Sequence, residues 1–489
     1  MKKRIVACAC AATMLIGVLA GCGNNTRKTI SEGEDITLRF SFWEASTGKE
    51  AETAFQNVVD SYEAEHPNVH IELVSQANAG YQDWIKAQTA TDSLPEIQMN
   101  TAGNLVSMGK KGLVEDITDA YNMPNPYYDG KIWKDTFADG SLDGIHEYTT
   151  VPAYNIPLFA TGVAMYYNKD IYNQLGLNVP NNWNEFIDNC KIIEEAGITP
   201  IAFMGQKNDQ ISILFYELSG DLYIDRWLDM ENLNYNMDSH ITQYEMAKAV
   251  DTGDFNLATD KALQADFEKL IEYIQKHVQY APNGAGYDEA AAKMLFLTGK
   301  AAHLNSGSWD IAGLLANDEN MVDVGVFKYP RLTEENDGYV GGPGISNNCY
   351  QSIAISSTVN KQEGAREAAI DFLMYLTSPE QYKIYIEGTR NIPSIKGVEV
   401  SDEYEAFLEP GGYPLIQSFR FGSSKVGTNP WEIIKKAAYG EEIELNDALF
   451  ADMQKSIEKN MSDFIESKGL SPENNYKLDE MPIVGHVRK

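Results

Sequence analysis

Basic residues are scarce in this chain. It sets 39 Lys and Arg against 71 Asp and Glu, a formal charge of −32. Such a body is repelled by phosphate backbones and anionic head groups, which excludes nucleic acid as a partner. Cysteine is scarcer: five residues, Cys8, Cys10, Cys22, Cys190 and Cys349, with no spacing of the zinc-site kind. Catalytic signatures are missing too. There is no Gly-x-Ser-x-Gly, no His-Glu-x-x-His, no phosphate loop and no EF-hand loop. Gly341-Gly342-Pro343-Gly344 is rich in glycine, but its spacing is wrong for phosphate and Pro343 interrupts it. No metal and no cofactor is expected, and the chain does not read as an enzyme. A polysaccharide hydrolase would need only two carboxylates at a set separation, and nothing in the spacing of the acidic residues singles out a pair. Beyond residue 21 no run is long and apolar enough to span a bilayer. Internal repeats and low-complexity tracts are absent as well.

What is present starts at the N-terminus. Lys2-Lys3-Arg4 precedes a short apolar run, Ile5 to Ala20, and then Leu19-Ala20-Gly21-Cys22. A cationic start, an apolar stretch too short for a membrane span and small residues at a cleavage point make an export signal. Leu19-Ala20-Gly21-Cys22 resembles the lipobox of bacterial lipoproteins, which implies removal of residues 1–21 and lipidation of Cys22. The alternative is an ordinary signal peptide with a chance cysteine. Cleavage would remove three cations and bring the charge to about −35. Residues 22–35 are polar and read as a flexible tether.

The remaining chain is too long for one core and implies two domains. Ile36, Leu38, Phe40 and Phe42 alternate with polar residues, a strand pattern. Ala51, Ala54, Phe55, Val58, Val59 and Tyr62 mark one face of a helix. Val69, Ile71 and Leu73 alternate again, completing a βαβ unit and predicting a largely parallel sheet. A short strand covers Leu94 to Met99, and helices cover Trp183–Ala196 and Phe267–Val278. Ala365, Ala368, Ala369, Phe372, Leu373 and Leu376 form one apolar stripe. Ser378-Pro379-Glu380-Gln381 predicts a fresh helix opened by a capping box. Asn122–Gly144 and Asp225–Asp254, both polar, read as surface insertions.

Several blocks together resemble the family 1 extracellular solute-binding proteins, the carbohydrate-binding lipoproteins of ABC importers. They are Leu38-Arg39-Phe40-Ser41-Phe42-Trp43, Leu94-Pro95-Glu96-Ile97 (Glu96 where Asp is usual), Met165-Tyr166-Tyr167-Asn168-Lys169, Val179-Pro180-Asn181-Asn182-Trp183, Phe296-Leu297-Thr298-Gly299-Lys300-Ala301-Ala302, Gly307-Ser308-Trp309, Gly341-Gly342 and Gly388 to Pro393. The resemblance runs from about Ile36 to about Met461. It implies an α/β, two-lobed periplasmic-binding-protein-like fold with discontinuous lobes joined by a hinge. The first lobe would take 36–152 and 345–380, and the second 157–327 and 395–489. The crossovers would be 153–156, 328–344 and 381–394. Cys190 and Cys349 would then fall in different lobes, where a disulfide would block their motion, so free thiols are expected.

The implied function is capture of a carbohydrate, an oligosaccharide by the length of the chain, for delivery to ABC permease subunits. The protein would be a monomer, lipid-anchored on the extracellular face of a bacterial cytoplasmic membrane of Gram-positive type. A non-sugar polar solute, or a structural or adhesive lipoprotein, are the other readings. Sugars need flat apolar surface for their C–H faces and fixed polar partners for their hydroxyls. The chain has 7 Trp and 27 Tyr to supply the first. Trp309, on a glycine-containing turn after an apolar strand, is the leading stacking residue. Trp43 and Glu44 end the first strand and Asn100 the third, where open α/β sheets place ligands. Tyr81 and Tyr154 are expected as walls, and Asp310, Gly342 and Arg390 as further contacts. Trp431 is weighed as a further platform, and Trp84, Trp183 and Trp227 as packing.

Overall fold

The structure is a computed structural model. It describes residues 35–44, 49–138, 141–142, 153–206, 208–223, 227, 233, 235, 241–282, 286–315, 322–336, 351–399, 402–407 and 418–480. Cys22, Gly342 and Cys349 lie outside these residues.

Strands and helices alternate from the start: β1 (Ile36–Glu44), α1 (Glu50–Glu65), β2 (Val69–Ala77), α2 (Asn78–Ala90), β3 (Ile97–Thr101) and α3 (Ala102–Gly109). Next come β4 (Ile156–Ala160), β5 (Val163–Asn168), α4 (Trp183–Glu195), β6 (Thr199–Ala202), α5 (Asn208–Leu222), α6 (Lys261–Val278) and α7 (Glu289–Leu297). The rest is β7 (Ala301–Gly307), β8 (Val324–Phe327), β9 (Gln351–Ile355), α8 (Ala365–Leu376), α9 (Pro379–Thr389), β10 (Ile392–Pro393), α10 (Pro430–Ala438) and α11 (Asp447–Lys468).

Two sheets organise two lobes. The first has six strands in the order β10-β4-β9-β3-β1-β2, and the second four, β6-β7-β5-β8. β1 pairs in parallel with β2 and β3, while β9 runs antiparallel between β3 and β4. Alternation in β1 sends Phe40 and Phe42 to one face, where Phe55 of α1 lies 4.7 and 4.8 Å away, ring centre to ring centre. Arg39, on the other face, grips Glu96 with Nε at 3.0 Å and Nη2 at 2.9 Å. Burial pushes the Glu96 carboxyl up, but the Arg39 hydrogen bonds outweigh it and hold it below its ordinary value. The second lobe packs Trp183, Phe186, Phe215, Trp227, Phe267, Phe419 and Phe450 into one core, to which α10 and α11 bring the end of the chain.

The lobe limits differ from those expected. Ile156–Ala160, assigned above to a crossover and the second lobe, is a wholly buried strand whose partner is β9 of the first sheet. Segment 381–394 is not a linker either: α9 packs on α1, and β10 pairs with β4. Ile395 bridges to Phe137 in the same lobe. At 328–336, Tyr329 and Leu332 join the second core, and Arg331 binds Asp221. Strand partners hundreds of residues apart decide these limits, and local pattern does not carry them.

Two smaller expectations also change. Ser378 is the N-cap of α9 with Pro379 behind it, but no capping box forms. Ser378 Oγ donates instead at 2.7 Å to the Tyr375 carbonyl in the last turn of α8, and that carbonyl also accepts from Ser378 N–H at 3.0 Å. The polar segment 225–254 holds a helix, Gln243–Thr252, opened by a capping box of Thr242 and Glu245, with Met246, Ala247 and Ala249 buried. Segment 122–144 sends Trp133 into the first core, its Nε1 donating to Thr377 Oγ1 at 2.9 Å. Core residues hidden among Asn and Asp made both stretches look like surface.

Candidate functional site

The parallel strands β1, β3 and β4 all end at one edge of the first sheet. From that edge Thr161 and Gly162 carry the chain into β5 of the second sheet. Val163 pairs with Gly307, the last residue of β7, and Ser308 N–H donates to Gly162 O at 2.9 Å. The ends of β1 and β3 in one lobe and of β7 in the other therefore lie on the sides of the two sheets that the β4–β5 connection links, and strand ends are the usual place for a ligand in open α/β sheets.

Trp43 lies at this edge. The register Phe40↔Ile97, Ser41↔Gln98 continues to put Trp43 level with Asn100. Glu44 is the last residue of β1, opposite Ala77. Asn100 Oδ1 accepts from Gln82 Nε2 (2.9 Å), Asn104 Nδ2 (3.0 Å) and Thr101 N–H (2.9 Å). These three donors orient the amide and leave Nδ2 without a partner among the described residues. Gln82 and Asn104 are themselves exposed, so the lip of the first lobe carries a cluster of amides. Sequence reasoning named Asn100 as a candidate and did not name its two neighbours. Their only signal was a place at the start of α2 and α3.

Tyr81 is not a wall. It is buried, its ring centre 5.0 Å from that of Trp43 and its hydroxyl 3.0 Å from Ser41 Oγ. Burial pushes the phenol well up. It backs Trp43 from behind. Tyr154 lies at the opposite end of the sheet, two residues ahead of β4 and flat against Gly109, where a Cβ would stand 2.3 Å from the ring. The structure does not bring it to the other candidates.

In the second lobe the half-buried Trp309 rides a short 3-10 turn, Ser308–Asp310, directly after β7. Its ring folds back over Gly307, where a Cβ would meet the ring at 2.2 Å. Only glycine permits that approach. Tyr166 Oη donates to Gly307 O at 2.8 Å from below. Asp310 is turned inward, accepting from Ser306 Oγ at 2.5 Å and from Lys293 Nζ of α7 at 2.6 Å. Lys293 also reaches Glu289 at 2.6 Å. Burial lowers the Lys293 ammonium, but Asp310 and Glu289 outweigh it and hold it above its ordinary value. Asp310 thus anchors the turn that presents Trp309. Lys293 and Ser306 were not foreseen, because their role depends on α7 packing beside β7.

Arg390 caps α9 in the left-handed region, φ +51°, and is exposed. Its carbonyl accepts from Tyr404 Oη. Trp431 stands half-buried at the start of α10, with Phe215 edge-on to it. Trp183 and Trp227 are core residues. Cys190 is a free, buried thiol. Among the described residues no group of three or more His, Cys, Asp or Glu forms a metal-binding set, and no helix is long and apolar enough to cross a membrane.

Known proteins are similar to this chain in sequence and in fold. The multiple sugar-binding protein of Streptococcus mutans is 23% identical over 388 residues, covering 78% of this chain and 81% of its own. The melibiose/raffinose/stachyose-binding protein of Bacillus subtilis is 22% identical over 215 residues, 43% of this chain and 46% of its own. Among solved structures, the raffinose complex of the solute-binding protein RafE superposes with a TM-score of 0.58 at 19% identity, covering 87% of this chain and all of its own. A maltose-bound protein of T. maritima gives 0.59 at 15% identity, covering 88% and 100%. Both are two-lobed α/β proteins. The family model described as bacterial extracellular solute-binding protein matches residues 45–383, from the end of β1 to within α9. With that span covering more than half of the chain, this chain belongs to the bacterial extracellular solute-binding proteins.

Proposed function

We propose that the chain captures an oligosaccharide between its lobes and delivers it to the permease subunits of an ABC importer. The observation that carries this reading is Trp309 on its anchored turn at the end of β7 in one lobe, with Trp43 and the Asn100 amide cluster at the ends of β1 and β3 in the other. Aromatic faces suit the C–H surface of a sugar, and fixed amides suit its hydroxyls. The sugar-binding relatives support the same ligand class. The lobes rotate about the β4–β5 connection and the other crossings, and ligand shifts the population by binding the closed form better. Export through residues 1–21 and lipidation of Cys22, outside the described residues, hold the protein on the extracellular face of the cytoplasmic membrane as a monomer. A tethered receptor gains effective concentration beside its permease.

A thermal-shift screen over a glycan panel tests the ligand class, since a ligand that binds only the native state raises the melting temperature. Calorimetry then follows the best sugar. Trp309→Ala should weaken binding about tenfold or more, from loss of the buried indole face. A panel of oligosaccharides that leaves the melting temperature unmoved, or turnover of a labelled oligosaccharide by pure protein, would overturn the reading. Cys22→Ala should bind sugar normally and import it poorly.

A further inference from the structure

Five arginines lie among the described residues. Three are tied to carboxylates: Arg39 to Glu96, Arg331 to Asp221 and Arg366 to Asp119. Arg390 is an exposed side chain at a helix end. Arg420 is held in a different way. Its guanidinium carbon lies 4.6 Å from the Trp431 ring centre and 5.6 Å from that of Tyr216. Its Nη1 donates to Tyr216 Oη at 2.5 Å. Among the described residues it has no carboxylate partner, although the chain carries 71 acidic residues. All three side chains are half-buried. The Trp431 face that a sugar ring could have used is therefore a seat for a cation.

The surroundings add to this positive character. Asn429 caps α10 by accepting from Trp431 N–H at 3.0 Å, and its Nδ2 reaches Gly422 O at 3.4 Å, two residues past Arg420. The positive end of α10 thus lies beside the guanidinium. The shelf and the Trp309 turn belong to the same lobe. β6 runs parallel to β7, so α5 leaves the sheet at the edge that carries Trp309. Tyr216 lies eight residues into α5, about 12 Å along its axis.

We infer that the ligand is an acidic oligosaccharide, and that Arg420, fixed on Trp431 and Tyr216, receives the carboxylate of a uronic acid residue. This rests on the carbohydrate reading above. A guanidinium has five N–H donors in a planar fork, and the bond to Tyr216 leaves enough of them for a bidentate carboxylate. Stacking fixes the fork in advance, so little side-chain entropy is lost on binding. The net negative charge of the body does not prevent this, because at physiological salt charges beyond about 8 Å are screened.

The test is calorimetry on the full chain with a glucuronate-bearing xylotriose and its carboxyl-reduced neutral form, and likewise with trigalacturonate and its reduced form. One acidic sugar should bind at least about tenfold tighter than its reduced form, as a charged hydrogen bond is worth. Raising the salt should shrink that ratio. Arg420→Gln should collapse it, and Arg420→Lys should restore part of it, since charge returns without the fork. Circular dichroism and melting temperature check that each variant is folded. Reduced forms that bind as well as the acids, or a ratio that survives in a folded Arg420→Gln, overturn the inference and leave the carbohydrate reading in place. If neither member of any pair binds and the wider glycan panel is also silent, both fall.

Discussion

Lowering the pH from 7 to 5 should destabilise the second lobe through two buried histidines. His303 sits on β7 with Nδ1 donating to Pro200 O at 2.8 Å, so its Nε2 accepts from Tyr172 Oη at 2.7 Å. Phe186 and Phe327 enclose it. His277, on α6, lies among Trp183, Phe186, Phe203 and Tyr329, and its Nε2 has no partner. Burial lowers both, and His303 adds repulsion at His277. The pKa falls to about 3 for His277 and about 4 for His303. An unfolded histidine titrates near 6.5. The unfolded chain therefore takes up protons first as the pH falls. Stability present above about 6.5 is lost as the pH drops toward the folded values. At pH 5 the loss is about 2 kcal/mol for each ring, hence about 4 kcal/mol together. That figure barely depends on whether the folded value is 3 or 4, since both lie below 5. It is a large part of an ordinary stability of about 5–15 kcal/mol. Glu96 and Asp119, held below the usual carboxylate range by Arg39 and Arg366, contribute stability that is lost only below about 4.5, outside this window. Urea unfolding followed by tryptophan fluorescence at pH 7 and 5, at one salt concentration, measures the difference. The double variant His277→Gln, His303→Gln should be weaker at pH 7 yet much flatter between the two pH values. Equal wild-type midpoints at pH 7 and 5 would refute the reasoning.

Gly307→Ala should weaken sugar binding more than it weakens the fold, because the new Cβ falls 2.2 Å from the Trp309 ring and displaces it; calorimetry beside a melting curve separates the two effects. Lys293→Met removes the cation from the inward-turned Asp310 and should cost about 3 kcal/mol in urea unfolding, with looser Trp309 emission, and Lys293→Arg should recover part of both. Cys190, whose thiol burial pushes well up, should resist alkylation at pH 8 in the native protein and react at once in urea, as thiol titration will show.

Much of the fold was legible in local pattern. The alternation at Ile36–Phe42, the helical face from Ala51 to Tyr62 and the return to alternation at Val69 appear as β1, α1 and β2, each starting within a residue of the pattern. Glycine before Trp309 marked a turn, and the turn is there. Asn100 and Trp43 were placed at strand ends by the same reasoning, and they stand level at the joining edge. The lobe boundaries were less legible. Nothing in Ile156–Ala160 itself says that its partner is β9 rather than a strand of the second sheet. The wall residues were harder still. Tyr81 and Tyr154 are aromatic and near strand ends in sequence, yet one backs Trp43 and the other covers Gly109 at the far end of the sheet.

The sequence by itself determined many of the strands and helices, the acidic charge, and the family. These depend on periodicity and composition over ten or twenty residues, where neighbours along the chain act on one another directly. Tertiary structure alone decided that Tyr81 packs behind Trp43, that Asp310 faces Lys293, and that Trp431 carries Arg420. Those roles follow from contacts across long separations, such as Arg420 with Tyr216 204 residues away. Whether a side chain meets solvent, a ligand or another ring is set by the element that packs against it, and chain order does not encode that element locally.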